Sequence, residues 1–108
     1  LETYIRASVE FVAGHRSQMK ALLDIFMNGA VRYEPGTELV VLSPVEEILR
    51  SGQAAGEFRA FDQRVMATVI QRAIDGLPFL LETYPDIDLG AYAAELATTF
   101  SLATRHTP

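Results

Sequence analysis

The side chains that could do chemistry are few in this sequence. An imidazole can act as a general base or as a metal ligand, and the chain has two, His15 and His106. His15 falls at a predicted helix boundary and His106 lies near the last residue of the sequence. Neither has a catalytic or metal-binding partner at a useful spacing, so we predict that both are solvated residues.

Adjacent carboxylates and a pair of glycines are equally weak as sites. Glu46 and Glu47 could share a proton or a metal ion, but neighbouring helical positions point about 100° apart. Gly52 and Gly56 lack the Lys-Ser or Lys-Thr that completes a phosphate-binding loop. The sequence also has no spacing typical of a zinc or calcium site. It therefore predicts no enzyme, no metal site and no cofactor.

Composition describes one ordinary globular domain. The 108 residues are 49% hydrophobic and 21% charged, which is enough to form one core without staples. The absence of cysteine excludes thiol catalysis, disulfides and cysteine-ligated zinc, and a net charge of -5 argues against binding a phosphate backbone unaided. No apolar run is long enough for a membrane span and no secretory leader is recognisable. We expect a cytoplasmic location and no membrane partner.

Two helices are predicted in the first thirty residues. Apolar residues over 1–12 follow helical spacing, and Gly14 offers the left-handed position that ends helices. A second amphipathic pattern runs from Met19 to an end near Asn28 and Gly29. The connection is so short that the two are either antiparallel neighbours or one helix bent at Gly14. Because Leu1 is no initiator and helical spacing begins at once, we expect a piece of a longer protein.

The next stretch changes character at a breaker around Pro35. Residues 39–42 (LVVL) are β-rich, and we favour an extended connection over residues 31–43, packed on the helices, over a small hairpin. Ser43, Pro44 and Glu46 have the spacing of a capping box with proline at the first helical position, so a helix should start there. It should end by Gly56.

Two longer helices complete the chain. Asp62 should cap a helix through about Glu82, kinked or broken at Pro78. Its central apolar stripe contains Val65, Met66, Val69, Ala73, Leu77, Leu80 and Tyr84. A second apolar edge contains Ala67, Ile70, Ile74, Pro78 and Leu81.

The last helix should run from Leu89 to about Thr104, capped by Asp86 or Asp88. Glu95 is its one charged residue, which predicts burial on all sides and hence a partner subunit. The fold predicted from these patterns is an all-α bundle of about five helices.

Several segments, in order along the chain, resemble TetR-type (tetracycline-repressor-like) transcriptional regulators. The first recognised is residues 52–62 (GQAAGEFRAFD). Three upstream segments resemble the family's connecting helix and the pocket helix after it: residues 4–6 (YIR), 11–16 (FVAGHR) and 21–26 (ALLDIF). Three downstream segments resemble its last two long helices: residues 65–67 (VMA), 73–76 (AIDG) and 95–100 (ELATTF). The resemblance spans nearly the whole chain, although Pro78 and the valines of residues 40–41 depart from it.

The resemblance implies an orthogonal helical bundle that senses a small hydrophobic or amphipathic effector and forms a homodimer. Its last two helices would form a four-helix interface, and operator DNA would be read by an N-terminal helix-turn-helix domain outside this chain. Mapped onto this sequence, the effector cavity would be lined by Phe11, Met19, Leu23, Phe26, Met27, Ile48, Met66 and Ile70. Our candidates for the dimer interface are Ala67, Ile74, Pro78, Ala93, Ala97, Phe100 and Thr104. Phe58 and Phe61 should anchor the bend between helices, with Arg59 free to pair with a carboxylate.

Other functions stay open from the residues alone. The same apolar stripes are typical of a purely structural helical dimerisation module with a filled core, which differs from a sensor in having no closed apolar cavity. An enzyme would require His15 against a buried carboxylate inside a pocket. We expect neither catalysis nor DNA binding by this chain itself.

Overall fold

Six α-helices form the computed structural model, which describes residues 1–27 and 36–106, without the side chains of Phe26 and Met27. They are α1 (Glu2–Gly14), α2 (Arg16–Met27), α3 (Thr37–Ala54), α4 (Gln63–Asp75), α5 (Leu77–Thr83) and α6 (Leu89–Thr104). One residue, Gly76, separates α4 from α5, so residues 1–27 and 36–106 hold five helical segments if that pair counts as one bent helix. The predicted all-α fold is confirmed, and the β-type pairing within the described ranges is a single antiparallel bridge between Phe58 and Arg105.

The turn between α1 and α2 lies where the sequence predicted it. α1 ends at Gly14, and the amide of His15 donates to the carbonyl of Val12. Gly14 was expected to be left-handed, and this is wrong: the glycine with a positive φ among the described residues is Gly56, at 76°. The predicted end of the second helix, near Asn28 and Gly29, lies outside the described residues.

The start of α3 is the main correction to the sequence analysis. This helix begins at Thr37, so residues 39–42 are helical rather than extended or hairpin, and Ser43 is not its cap. The reason is tertiary, since Leu42, Val45 and Leu49 recur at helical spacing and are all buried. Burying that stripe outweighs the weak β preference of two valines. The part of the predicted connection at residues 31–35 lies outside the described residues.

Pro44 is an interior residue of α3 instead of its first. It lies on the solvent side of the helix, as Val40 one turn earlier does. Proline has no N–H to donate to the carbonyl four residues back. On an exposed side that carbonyl can accept from water, which makes the proline tolerable there.

α3 and α4 run antiparallel. Arg72 Nη2 lies 2.7 Å from Glu38 Oε1, and Arg64 Nε lies 3.2 Å from Glu46 Oε1. The order of these pairs along the two helices is opposite, which fixes the direction of packing. Glu46, predicted as part of a capping box, therefore pairs with the next helix instead.

Helix caps elsewhere follow the sequence closely. The Asp62 carboxylate accepts from the amide of Val65 at 3.0 Å, and the Asp88 carboxylate accepts from the amide of Ala91 at 3.0 Å. Of the two aspartates predicted as possible caps of α6, Asp88 is therefore the cap. α6 ends at Thr104, as predicted.

α1 contributes to both of the clusters that form the core. Its Ile5 lies in the first cluster, whose other members are Leu42, Val45, Leu49, Ala67, Ile70, Ile74 and Phe100. Val9 and Val12 lie in the second cluster, with Leu77, Leu81 and Ala93. α1 therefore joins the α3–α4 pair to the end of the molecule formed by α2 and α5.

The helices form a flat body. Its principal extents are 47 × 33 × 17 Å and its radius of gyration is 15.0 Å, against roughly 13 Å for a compact chain of this length. A body this thin leaves most helices with one side in solvent. None of the helices in the described ranges is long and apolar enough to cross a membrane.

Candidate functional site

The apolar stripes of α4 only partly take their predicted positions, since Met66 and Ala73 of the central stripe pack against the first core cluster. The second edge faces the core, with Ala67, Ile70 and Ile74 buried. Two residues of the supposed central stripe, Val65 and Val69, are 61% and 51% exposed. The prediction that these two valines face the core is wrong.

A buried polar residue lies on the same side of α4 as these core residues. Gln71 lies on the core side, 7% exposed, where its Oε1 accepts from Tyr4 Oη at 2.7 Å. Its amide nitrogen donates to Asp75 Oδ1 at 2.9 Å. Although Gln71 is polar, it can lie on the core side because these hydrogen bonds within the chain satisfy its amide.

The predicted interface residues are already packed within one chain. Six of them are buried in the described structure: Ala67, Ile74, Ala93, Ala97, Phe100 and Thr104. Pro78 is partly exposed. The six buried side chains leave no surface for a second chain, so a partner would meet the exposed residues of the same helices.

The predicted cavity residues are distributed over separate parts of the molecule. Ile70 belongs to the first core cluster, Met66 packs against it, and Met19 packs against the second cluster. Phe11 is 54% exposed and stacks on His15, with ring centroids 4.0 Å apart. Leu23 and Ile48 are partly exposed. The side chains of Phe26 and Met27 lie outside the described residues, so the described part of the predicted lining does not surround one cavity.

A groove between α2 and α5 contains two of the predicted residues. It has a volume of about 360 Å³ and is open to solvent. Met19, predicted for the cavity, and Pro78, predicted for the interface, lie in its wall together with Arg16, Ser17, Lys20, Leu81, Glu82 and Pro85. Arg16 Nη2 donates to the carbonyl of Pro85 at 2.8 Å, which joins the two sides of the groove. This groove was not predicted, because charged residues such as Arg16, Lys20 and Glu82 are typical of an ordinary solvent-exposed side of a helix.

A second open depression, of about 420 Å³, lies where α1 begins and α3 ends. Ile48 lines it with Leu1, Glu47, Ser51, Gly52, Ala55, Glu57 and Phe58. Ile48 therefore lines a different depression from Met19. The α3–α4 pair packs in the first cluster, whereas α2 and α5 pack against the second.

The loop after α3 holds the end of α6. Phe58 and Phe61 pack against the first core cluster, as predicted for anchors of the bend. Arg59 was expected to pair with a carboxylate, and this is wrong. Its Nε donates to the carbonyl oxygen of Ala103 at 2.7 Å, and its backbone amide donates to the carbonyl oxygen of Thr104 at 2.9 Å. Arg59 thus caps a helix that begins thirty residues after it in the chain.

The pKa values of two tyrosine hydroxyls, those of Tyr4 and Tyr92, are raised by the fold. Burial raises the pKa of Tyr4, and the charge of Asp75 raises it further, while a hydrogen bond with Ser8 acts in the opposite direction. Burial alone raises the pKa of Tyr92. Both hydroxyls make hydrogen bonds between helices, so these shifts follow from packing.

The histidines make local contacts. Nδ1 of His15 lies 2.7 Å from the carbonyl oxygen of Phe11, and the backbone amide of His106 donates to the backbone carbonyl oxygen of Glu57. Within residues 1–27 and 36–106 there is no group of three or more potential metal-binding side chains. In the groove between α2 and α5, the cations Arg16 and Lys20, the anion Glu82 and the apolar Met19, Pro78 and Leu81 line one depression.

Comparison of the sequence with models of protein families finds no match, and comparisons with curated proteins and with solved structures find none.

Proposed function

We propose that this chain is the small-molecule-sensing and homodimerising regulatory domain of a TetR-like transcriptional repressor. The proposal is supported by the order of the resembling segments and by the all-helical fold in which they lie. In such a repressor a separate helix-turn-helix domain reads the DNA, and ligand binding changes the relative position of the two reading heads.

The observation that carries the proposal is the exposed apolar side of α4. Val65 and Val69 are one helical turn apart and therefore lie on the same side of the helix. A single exposed valine needs no explanation, but a pair in register on one helix forms the start of a packing stripe. Such stripes are buried between helices in bundles.

The outer side of α6 has matching properties. Leu102 is 56% exposed, and the exposed positions one, two and three turns before it are Thr98, Glu95 and Ala91, so one carboxylate lies among short side chains. Short side chains let another helix backbone approach closely, while Leu102 supplies apolar area. We propose that the outer sides of α4 and α6 from two copies pack together around a two-fold axis, where each stripe meets its own copy.

The sensing part of the proposal rests on the groove between α2 and α5. Met19, Pro78 and Leu81 give it apolar walls, and Arg16 and Lys20 add positive charge. Its volume lies within the range of small-molecule sites. An amphipathic molecule bound there would touch α2 and α5 at once and change how the two helices lie against each other.

A structural module without a ligand is the second candidate. It is favoured by the separation of the described cavity candidates, because Ile70 and Met66 pack in the first cluster and Met19 packs against the second instead of lining one cavity. In that case the apolar side of α4 would have the same role in dimer formation, and the groove would hold only solvent.

Native mass spectrometry of the 108-residue chain tests both parts in one experiment. We expect a dimer for the unmodified chain and a monomer for Val69→Glu, because a carboxylate inside an apolar interface is costly to bury. Val40→Glu is the matched control, since Val40 is also exposed but lies on α3. A monomeric unmodified chain, or a dimer that survives Val69→Glu, would contradict the proposal. A retained small molecule would support the sensor, and an empty dimer would support the structural module.

A further inference from the structure

The joint between α4 and α5 interrupts one helix at a defined point. The amide of Gly76 donates to the carbonyl of Arg72 at 2.9 Å. On the other side of the joint, the amide of Leu80 donates to the carbonyl of Gly76 at 3.2 Å. Residue 78 is proline and has no N–H. In the described structure the amide of Leu77 is not bonded to the carbonyl of Ala73, which would be its acceptor in a continuous helix.

A side chain from α6 takes the carbonyl that the break leaves available. Tyr92 Oη donates to the carbonyl oxygen of Ala73 at 2.8 Å. Tyr92 is partly buried against the second core cluster, so its ring is held in place beside the joint. The acceptor that would continue the helix is therefore used for a contact with another helix.

The α4 side of the joint is also held from α1. Tyr4 donates to Gln71, which is buried in the last turns of α4, and Gln71 donates to Asp75 at the end of the helix. α5 forms one wall of the open groove and places Leu77 and Leu81, 0% and 8% exposed, in the second cluster. A change at the joint would therefore repack α5 against that cluster and alter the wall of the groove.

We propose that residues 76–78 form a hinge and that the Tyr92 hydroxyl is the catch that holds its bent form. When the catch is released, the amide of Leu77 pairs with the carbonyl of Ala73, and α4 continues further towards α5. The movement displaces α5 and with it the wall of the groove. The hinge belongs to a single chain, so it requires neither a dimer nor a bound ligand.

Amide hydrogen exchange of Leu77, followed by NMR, tests the catch in the full 108-residue chain. We expect Tyr92→Phe to slow exchange at Leu77 by up to about fivefold, because one neutral hydrogen bond changes the equilibrium between bent and straight forms by about that factor. Tyr84→Phe is the matched control, since Tyr84 is exposed and lies near the other end of α5. Unchanged or faster exchange at Leu77 in Tyr92→Phe would overturn the proposal.

A second variant tests the hinge independently of the tyrosine. Pro78→Ala supplies the missing amide and removes the ring that clashes with a continuous helix, so Leu77 exchange should slow even with Tyr92 present. Both changes act on the same equilibrium between bent and straight forms, so adding Tyr92→Phe to Pro78→Ala should slow exchange further, by a factor at least as large as in the unmodified chain. If Pro78→Ala alone left exchange at Leu77 unchanged, or if adding Tyr92→Phe did not slow it further, the hydroxyl and the joint would not be coupled and the proposal would fail.

Discussion

Gly52 lies directly against the ring of Phe58. A Cβ built on Gly52 would stand 2.2 Å from two carbons of that ring, a separation that packed atoms do not adopt. Alanine favours helices over glycine by about 1 kcal/mol, yet we expect Gly52→Ala to lower the free energy of unfolding by about 1–3 kcal/mol, because the ring must leave its place against the core. Urea denaturation measures this.

Gly14→Ala is the control for the same substitution at a helical glycine. A Cβ at Gly14 meets nothing within 4 Å, and its φ is not positive. Its unfolding free energy should stay the same or rise by up to about 1 kcal/mol. If both alanine variants were equally stable, the packing of Phe58 on Gly52 would not be significant.

The two aspartates before α6 should differ in their contribution to stability. Asp88 accepts a hydrogen bond from the amide of Ala91, so Asp88→Ala should cost about 1 kcal/mol. Asp86 is exposed and is not the cap, and Asp86→Ala should change the unfolding free energy by less than about 0.5 kcal/mol. Thermal melts followed by circular dichroism compare the two variants, and a larger loss for Asp86→Ala would refute this assignment.

Arg59 should stabilise the end of α6 through its side chain. Arg59→Ala removes the hydrogen bond to the carbonyl of Ala103, and we expect a loss of about 1 kcal/mol. Arg50→Ala is the comparison, because Arg50 forms an exposed pair with Glu47 within one helix, a type of contact worth about 0.3–0.5 kcal/mol. Amides of the last turn of α6 should exchange faster in Arg59→Ala and not in Arg50→Ala.

Stability should fall in alkali through Tyr4 and Tyr92. Folding raises the pKa of both phenols above their ordinary value of 10.0, so the folded chain holds their protons more tightly than the unfolded chain. Their contribution is therefore complete below pH 10.0 and is lost as the pH rises through the higher folded values. The double variant Tyr4→Phe/Tyr92→Phe should lose less unfolding free energy than the unmodified chain between about pH 9 and about pH 11. Parallel losses in urea titrations of the two proteins would contradict this.

Sequence analysis succeeded where structure depends on neighbouring residues. Asp62 caps α4 through an amide three residues away, and Leu89 and Thr104 bound α6 as predicted. The break near Pro78 follows from the chemistry of proline itself, although the structure places it at Gly76. Each of these features requires only the residues within one or two helical turns.

The errors concern features that depend on distant residues. α3 starts before Ser43 because Leu42 is buried by other helices, and Gln71 lies on the core side of α4, where it bonds to Tyr4, 67 residues away in sequence. The groove between α2 and α5 requires Arg16 to reach Pro85, another contact that no local pattern predicts. The predicted cavity and interface sets were chosen by periodicity, which identifies apolar arcs but does not determine which arc faces the core.

The helical start of α3 has a consequence for how this protein would misassemble. Residues 39–42 favour extended structure, and within them Leu39 and Val40 are exposed. If the first turns of α3 fray, this run becomes a short apolar strand able to pair with the same run of another molecule. Pro44 follows two residues later and has no amide for such a ladder, so it limits the length of any cross-molecule sheet. The proline that the helix tolerates on its solvent side thus acts as a gatekeeper against aggregation.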